Sequence, residues 1–366
     1  MNLQKEKNFI ISILGTGLGR ILISLFVPFC AFIVLWQGFI FLRSSDAPKP
    51  ILTLIAIIWG VGGIMVLYIV ANWITGQLPK NLRRKLQPFV FVGPAMIILA
   101  WYLLLPTIRS FYLSLFNPKN EFILFTNYIK MFSNRNFLIA IRNNILWLVF
   151  GSGLAVLFGL IIALLAERSS FEVPAKALIF LPMAISFIGA GVIWKFMYAY
   201  KPAGELQIGL LNAINSLFGI APNNWLIIKP LNSILLIMIL VWMQTGYAMV
   251  LISSAIKGVP VDLLEAARID GAGEFKIILS IIIPYIKGTV ITVATTIMIL
   301  TLKIFDIVYS MTSGNFDTDV IATLQYKEMF IYKNYNMGSA YAIILLILVF
   351  PAIMYNLKQF KERRAF

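Results

Sequence analysis

The sequence predicts an all-α membrane protein of about eight transmembrane helices, and three observations carry that prediction. Of its 366 residues, 60% are hydrophobic and 12% charged, whereas a soluble domain is about half apolar and about a quarter charged. Mean hydropathy is +0.89. The apolar residues also fall in runs of about 20 to 25, long enough at about 1.5 Å rise per residue to cross a hydrocarbon core of about 30 Å. Backbone polar groups in lipid must be satisfied within the segment, so such runs are helices.

Eight runs meet that length: 20–42, 51–74, 89–113, 143–166, 176–199, 231–255, 285–310 and 338–357. The first apolar stretch begins near Phe9 and is interrupted by Arg20, which predicts a helix over 9–19 lying in the interface ahead of the first span. Lys5 and Lys7 imitate the start of a signal peptide. No small-residue cleavage pattern follows, so the stretch is read as retained. Of the 30 Lys and Arg residues, 16 fall in the five segments 1–9, 75–88, 167–176, 256–288 and 357–366. Cations mark cytoplasmic loops, which puts both termini in the cytoplasm. Lys80, Arg83, Arg84 and Lys85, with Lys358, Lys361, Arg363 and Arg364, are the clearest markers.

Composition excludes several functions. There is no His, which removes imidazole acid–base chemistry and the commonest metal ligand. The single Cys30 permits no internal disulfide, and no phosphate-loop pattern occurs. The net charge of +15 flanks hydrophobic spans instead of forming one basic domain, so it reads as membrane orientation and not as nucleic-acid binding. Without His and without carboxylates clustered at one depth there is no catalytic constellation.

The outer connections 114–142 and 200–230 are polar and aromatic, with a short surface helix expected within Leu206–Phe218. They serve equally well as connectors or as a docking surface. The inner loop 256–288 is the most informative stretch. Asp262 followed by Glu265 has capping-box spacing, with Asp262 as N-cap and Glu265 at N3. Leu263–Ile269 then read as a short helix ended by Asp270-Gly271, and a second helical run, Glu274–Ile283, leads to Pro284. Ala266, Ala267, Gly271 and Ala272 are small, which permits close approach to another surface, while Glu265, Arg268 and Asp270 supply charge at its edge. The residues alone fit a docking helix and a simple interfacial connector equally.

The order Glu265-Ala266-Ala267-x-x-Asp270-Gly271-Ala272, followed by Ile281-x-x-Pro284, resembles the EAA loop of the permease subunits of ABC importers. In that family the loop forms a coupling helix that sits in a cleft of a cytoplasmic ATPase. Two positions depart from the pattern: Ile278 stands where an aromatic is usual, and Gly288 where a proline often follows. Segments 94–116, 125–132, Ile141-Arg142-Asn143-Asn144, Phe305–Gly314 and 326–330 are similar to the carbohydrate-type members, so the resemblance covers about 88–360. It implies a type I importer permease core over 88–366 after an extension, 1–87, that holds two helices. It further implies a bacterial inner-membrane location, a second permease subunit, two ATPase subunits that hydrolyse ATP, an extracytoplasmic solute-binding protein, and no cofactor on this chain. The segment after the loop looks most like that of α-glucoside-type permeases, including transporters of glucosylated compatible solutes.

Ionisable and polar residues at membrane depth are functional candidates. Gln244 and Tyr247 are spaced i,i+3 on the sixth span, and an aromatic ring with a hydroxyl suits a sugar. Lys303 and Asp306 are spaced i,i+3 on the seventh, where they are expected to pair and to form one polar stripe with Thr296. Each pair reads either as solute path or as a structural contact. An ion-coupled secondary transporter working without an ATPase is the alternative, and the Lys303–Asp306 pair is its best support.

Overall fold

The computed structural model describes residues 17–76, 78–167 and 169–363. Seven helices among the described residues are long and apolar enough to span a membrane, and a bent pair, Glu172–Ala184 with Phe187–Met197, meets the same criterion only when its two helices are taken together, at the place of the expected fifth span. Of the expected interfacial helix over 9–19, residues 9–16 lie outside the described residues, and 17–19 belong to the first helix, Gly17–Ser44. The chain divides into two compact units, Met1–Pro106 and Thr107–Phe366.

In the first unit, Gly17–Ser44 pairs with Lys49–Gly76. The Trp59 indole N–H donates to the Leu35 carbonyl at 3.0 Å, and Gly38 leaves the room that its ring occupies. The third span, Lys80–Ser114, begins among the basic residues of 80–85 and carries the chain into the second unit. It widens into π turns over Ala100–Leu104, just before Pro106, which has no N–H to give the helix. Large apolar side chains are exposed along all three helices, as a lipid solvent requires.

The second unit is built around the sixth span, Leu231–Lys257, the most buried of the described spans. The fourth span, Arg135–Ala166, runs along it. This helix starts eight residues before the apolar run because Asn134 caps it, accepting the Asn136 N–H at 2.8 Å. A Cβ on Gly159 would lie 2.5 Å from the Ala248 Cβ and 2.9 Å from the Met249 nitrogen, so the two helices meet backbone to backbone. The seventh span, Glu274–Leu302, and the eighth, the apolar part of Tyr335–Arg363, complete the unit.

Two expected spans differ in form. The fifth is not one helix: Glu172–Ala184 and Phe187–Met197 meet at 103°. Pro182 tightens the first helix into a 3₁₀ turn, and Ser186, in an extended conformation, accepts the Gly189 N–H at 3.0 Å and so starts a new helix. The seventh stops at Leu302, not 310. The chain breaks over Lys303–Phe305 and continues as Asp306–Thr312, then Ile321–Tyr326 and Lys327–Ile331.

Buried asparagines fix that broken region. Asn143 donates to the carbonyls of Asp317 and Asp319 at 2.7 and 2.8 Å. Asn144 donates to the Leu302 carbonyl at 3.2 Å and accepts the Ile321 N–H at 2.9 Å, serving the end of one helix and the start of another. Lys229, 2.7 Å from Asp317, holds that carboxyl below its ordinary range, whereas burial pushes Asp319 up despite Lys327 at 2.8 Å. Replacing Asn144 by Leu orphans two buried backbone groups, an expected loss of about 2 kcal/mol or more. A lowered Tm of the solubilised protein would show it, and an unchanged Tm would contradict it. The connection 200–230, after the fifth span, holds the expected short helix, Leu210–Leu217. Fully buried Asn212 ties it to Ala199, Asn223 and Trp225 at 2.9–3.0 Å, which makes it an ordered feature.

Candidate functional site

Val261–Ile269 forms a nine-residue helix between the sixth and seventh spans, and none of its residues is fully buried. Its N-cap is Pro260, not Asp262. The fixed φ of proline gives the chain an extended entry at ψ 130, so Asp262 already lies in the first helical turn. There its carboxylate meets the positive end of the helix dipole, without the side-chain cap bond that the spacing suggested. Glu265 consequently closes no capping box.

The C-terminal end is as the sequence predicts. The Gly271 N–H bonds the Arg268 carbonyl at 3.0 Å, and the Ala272 N–H bonds the Ala267 carbonyl at 2.9 Å. Together with Gly271 at φ +76 this is a Schellman motif. Leu264, Ala267 and Ala272 turn inward onto a core cluster that includes Val259, Ile277 and Ile282. Glu265, Ala266, Arg268, Asp270 and Gly271 face outward. Arg268 is held by Glu274, Nε to Oε1 3.0 Å, across the turn into the seventh span. That span begins at Glu274 itself, so the second helical run and the membrane helix are one rod. The short helix is thus joined to the seventh span by the turn at Gly271 and the Arg268–Glu274 pair.

Sequence reasoning missed the exposed large apolar residues of this loop. Val261, Leu263, Ile269 and Phe275 are exposed, Ile269 by 86%. Their signal was plain: large apolar side chains in a loop that otherwise carries charge. With the small residues between them they make a surface suited to an apolar-lined cleft.

The polar residues of the spans separate into two groups. Gln244 and Tyr247 lie one turn apart on the sixth span. Gln244 is 5% exposed and its carbonyl oxygen is buried without a hydrogen-bond partner. Such an oxygen calls for a donor, such as a water or a solute hydroxyl. Tyr247 is half-buried against the core cluster that includes Ala248, Met249 and Ile252. The adjacent face of the span borders a recess of about 450 Å³ between the fourth, fifth and sixth spans, lined by Phe158, Ile162, Trp194, Met238, Trp242 and Thr245.

Thr296, Lys303 and Asp306 do not form the expected stripe. The Thr296 hydroxyl donates to its own helix, to the Thr292 carbonyl at 2.8 Å. Lys303 caps the end of the seventh span and is exposed, whereas Asp306 opens the next short helix and is half-buried. The chain turns between them where Ile304 buries its side chain, so i,i+3 helical geometry is lost and no ion pair joins them among the described residues. Lys303 instead borders a recess of about 270 Å³ with Phe305, Gln325, Tyr326 and Phe330. Phe305, Tyr309, Tyr326 and Phe330 touch ring to ring at 4.9–5.2 Å.

Comparison with known proteins identifies a family and a fold. The family described as the binding-protein-dependent transport system inner membrane component matches residues 138–366. The chain is 50% identical to the osmoprotective compounds uptake permease protein GgtC of Synechocystis, over 75% of this chain and 99% of that protein. It is 44% identical to the α-glucoside transport system permease protein AglF of Rhizobium meliloti, over 76% and 84%. With the trehalose/maltose transport system permease protein MalF of Thermococcus litoralis it shares 30% identity, over 78% and 100%. The fold matches a chain of a bacterial alginate ABC transporter, crystallised in complex with its alginate pentasaccharide-bound periplasmic protein. That match has a TM-score of 0.65 at 20% identity, over 76% of this chain and 94% of that one.

Proposed function

Because the chain belongs to the binding-protein-dependent transport system inner membrane component family, we propose that it forms half of the translocation path of its ATP-driven sugar importer and receives mechanical work through the helix Val261–Ile269. The observation that carries this is the helix itself: anchored on one face by Leu264, Ala267 and Ala272, closed by a Schellman turn, continuous with the seventh span, and outward-facing at Glu265, Ala266, Arg268, Asp270 and Gly271.

In this reading the chain binds no cofactor and is not an enzyme. Two cytoplasmic ATPase subunits hydrolyse ATP, a second permease subunit supplies the other half of the path, and an extracytoplasmic binding protein delivers solute. Both termini lie in the cytoplasm of a bacterial cell, and the short helix faces the same side. The solute is an α-glucoside or a glucosylated compatible solute, a reading that rests on the resemblance of the segment after the loop and is supported by relatives named for uptake of osmoprotective compounds, at 50% identity, and for α-glucoside transport, at 44%. Gln244 supplies a hydrogen bond to it and Tyr247 a ring. The ion-coupled alternative drew on a Lys303–Asp306 pair that the folded chain does not make.

The test is uptake of labelled α-glucosides and glucosylated polyols into proteoliposomes holding the four-subunit complex and its binding protein. Uptake that needs ATP and the binding protein is expected. Uptake by this chain alone, driven by an ion gradient, would contradict the reading.

A further inference from the structure

At the membrane edge of the short helix, two lysines and two glutamates from three segments form a closed network around one serine. Glu167 follows the last turn of the fourth span, Glu172 and Lys176 lie on the first half of the broken fifth, and Ser253 and Lys257 end the sixth. Lys176 bridges both carboxylates, with Glu172 at 2.6 Å, and donates to the Ser253 hydroxyl; Ser253 in turn donates to Glu167. Lys257 closes the outer side, 2.5 Å from Glu172 and 3.6 Å from Glu167. The charges balance. Lys176 and Glu167 are largely buried, with side-chain exposures of 16% and 14%, and Ser253 is 4% exposed.

Exposed ion pairs contribute little, but a buried network is costly to leave half-made, so it holds its members in one geometry. Its location gives that geometry a use. Lys257 is the last residue of the sixth span, and Val261 opens the short helix four residues later, past buried Val259. Deeper in the unit, a Cβ on Gly246 would lie 2.5 Å from the Ile179 carbonyl oxygen, so the sixth span also meets the fifth at the backbone. Close backbone packing thus joins the fourth, fifth and sixth spans at mid-depth, and the charge network joins the same three at their ends. Without the network, the end of the sixth span is held only by the apolar packing of Ile252, Ala255, Ile256 and Val259, which has no directional hold on Lys257.

We propose that Glu167, Glu172 and Lys176 are positioning residues of energy coupling: through Ser253 and Lys257 they clamp the root of the short helix, so that its displacement moves the fourth to sixth spans as one body. This rests on the transport reading above and names residues for which that reading has no role. The clamp makes work at Val261–Ile269 reach the recess lined by Trp194 and Trp242 instead of dissipating in the last turn of the sixth span.

The experiment uses the complete complex in proteoliposomes and reads solute moved per ATP hydrolysed. K176M is expected to lower that ratio about 5-fold or more while ATP hydrolysis continues, in the range of site-to-site coupling. K176R, which keeps the charge, is expected to restore most of it. Lys257 is half-exposed, so K257Q tests the outer half of the clamp without threatening the fold, and a smaller loss in the same ratio is expected. A merely stabilising network would change the amount of assembled complex and leave the ratio alone. An unchanged ratio in K257Q and in whatever K176M complex assembles would overturn the proposal, provided that wild-type uptake is ATP-driven. Absence of ATP-driven uptake in the wild type would instead overturn the transport reading beneath it.

Discussion

Replacing Gly271 by Val is expected to cut ATP-driven uptake sharply while leaving the chain folded in the membrane. Gly271 has φ +76, a conformation that L residues reach only at a cost of about 1–2 kcal/mol, and β-branched residues at more. Nothing lies within 4 Å of where its Cβ would be, so the penalty is one of backbone conformation and not of crowding. The cheapest escape is to open the Schellman turn, which frees Ala272 from Ala267 and lets the helix swing on its anchor. That swing uncouples the short helix from the rod that starts at Glu274. Uptake per ATP hydrolysed is expected to fall about 10-fold or more. Asn is far better tolerated in the left-handed region, so Gly271→Asn is expected to keep most of the activity. Equal loss in both variants would show that side-chain size against a partner, and not the turn, is what matters.

Gly159→Leu is expected to do more damage, and at the level of the fold. Both near neighbours of the missing Cβ belong to the sixth span, the Ala248 Cβ at 2.5 Å and the Met249 backbone nitrogen at 2.9 Å. No rotamer relieves a clash with a backbone atom, so the two helices must separate. Overpacking of this kind costs about 1–3 kcal/mol and occasionally more. Here it also opens the core cluster of Ala155, Val156, Ala163 and Ile252. Such small-residue contacts are what hold helices together in lipid, where apolar surface gains little by pairing. The amount of chain in the membrane and its Tm in detergent are both expected to drop. Gly153, on the same helix with nothing within 4 Å of its Cβ position, is the control: Gly153→Ala is expected to be neutral or mildly stabilising. A normal level and Tm for Gly159→Leu would contradict the packing described.

Hydropathy made the spans legible because a lipid solvent imposes one rule on every residue of a crossing helix. It could not show where a crossing helix bends. The 103° break after Ala184 lies inside an apolar run, and a window that averages over Pro182 and Ser186 passes across it. Local rules do mark the spot, a proline followed four residues later by a capping serine, but they carry little weight against the long run around them. The end of the seventh span at Leu302 has no local mark of that strength. It is set by Asn144, 158 residues earlier, which takes the Leu302 carbonyl. The same distance in sequence explains why Lys303 and Asp306 read as a pair and are not one.

The short helix was legible for another reason. Its Schellman end depends on glycine, and glycine at that register is visible in any sequence. Its start was misread because Asp262 and Glu265 satisfy the spacing of a capping box, whereas Pro260 controls the backbone two residues earlier. The charge clamp escaped notice because Glu167 and Ser253 are 86 residues apart and each is unremarkable alone.

The most direct measurement is contact between the short helix and an ATPase chain in the assembled complex. With Cys30 replaced by Ser, a single cysteine at Ala266, on the outward face between Glu265 and Arg268, is offered a short thiol crosslinker. Crosslinking to the ATPase subunit in good yield, and labelling of the same thiol only from the cytoplasmic side, are the results the account predicts. A thiol that is labelled from outside the cell, or that crosslinks to no ATPase in a complex active in ATP-driven uptake, would contradict it.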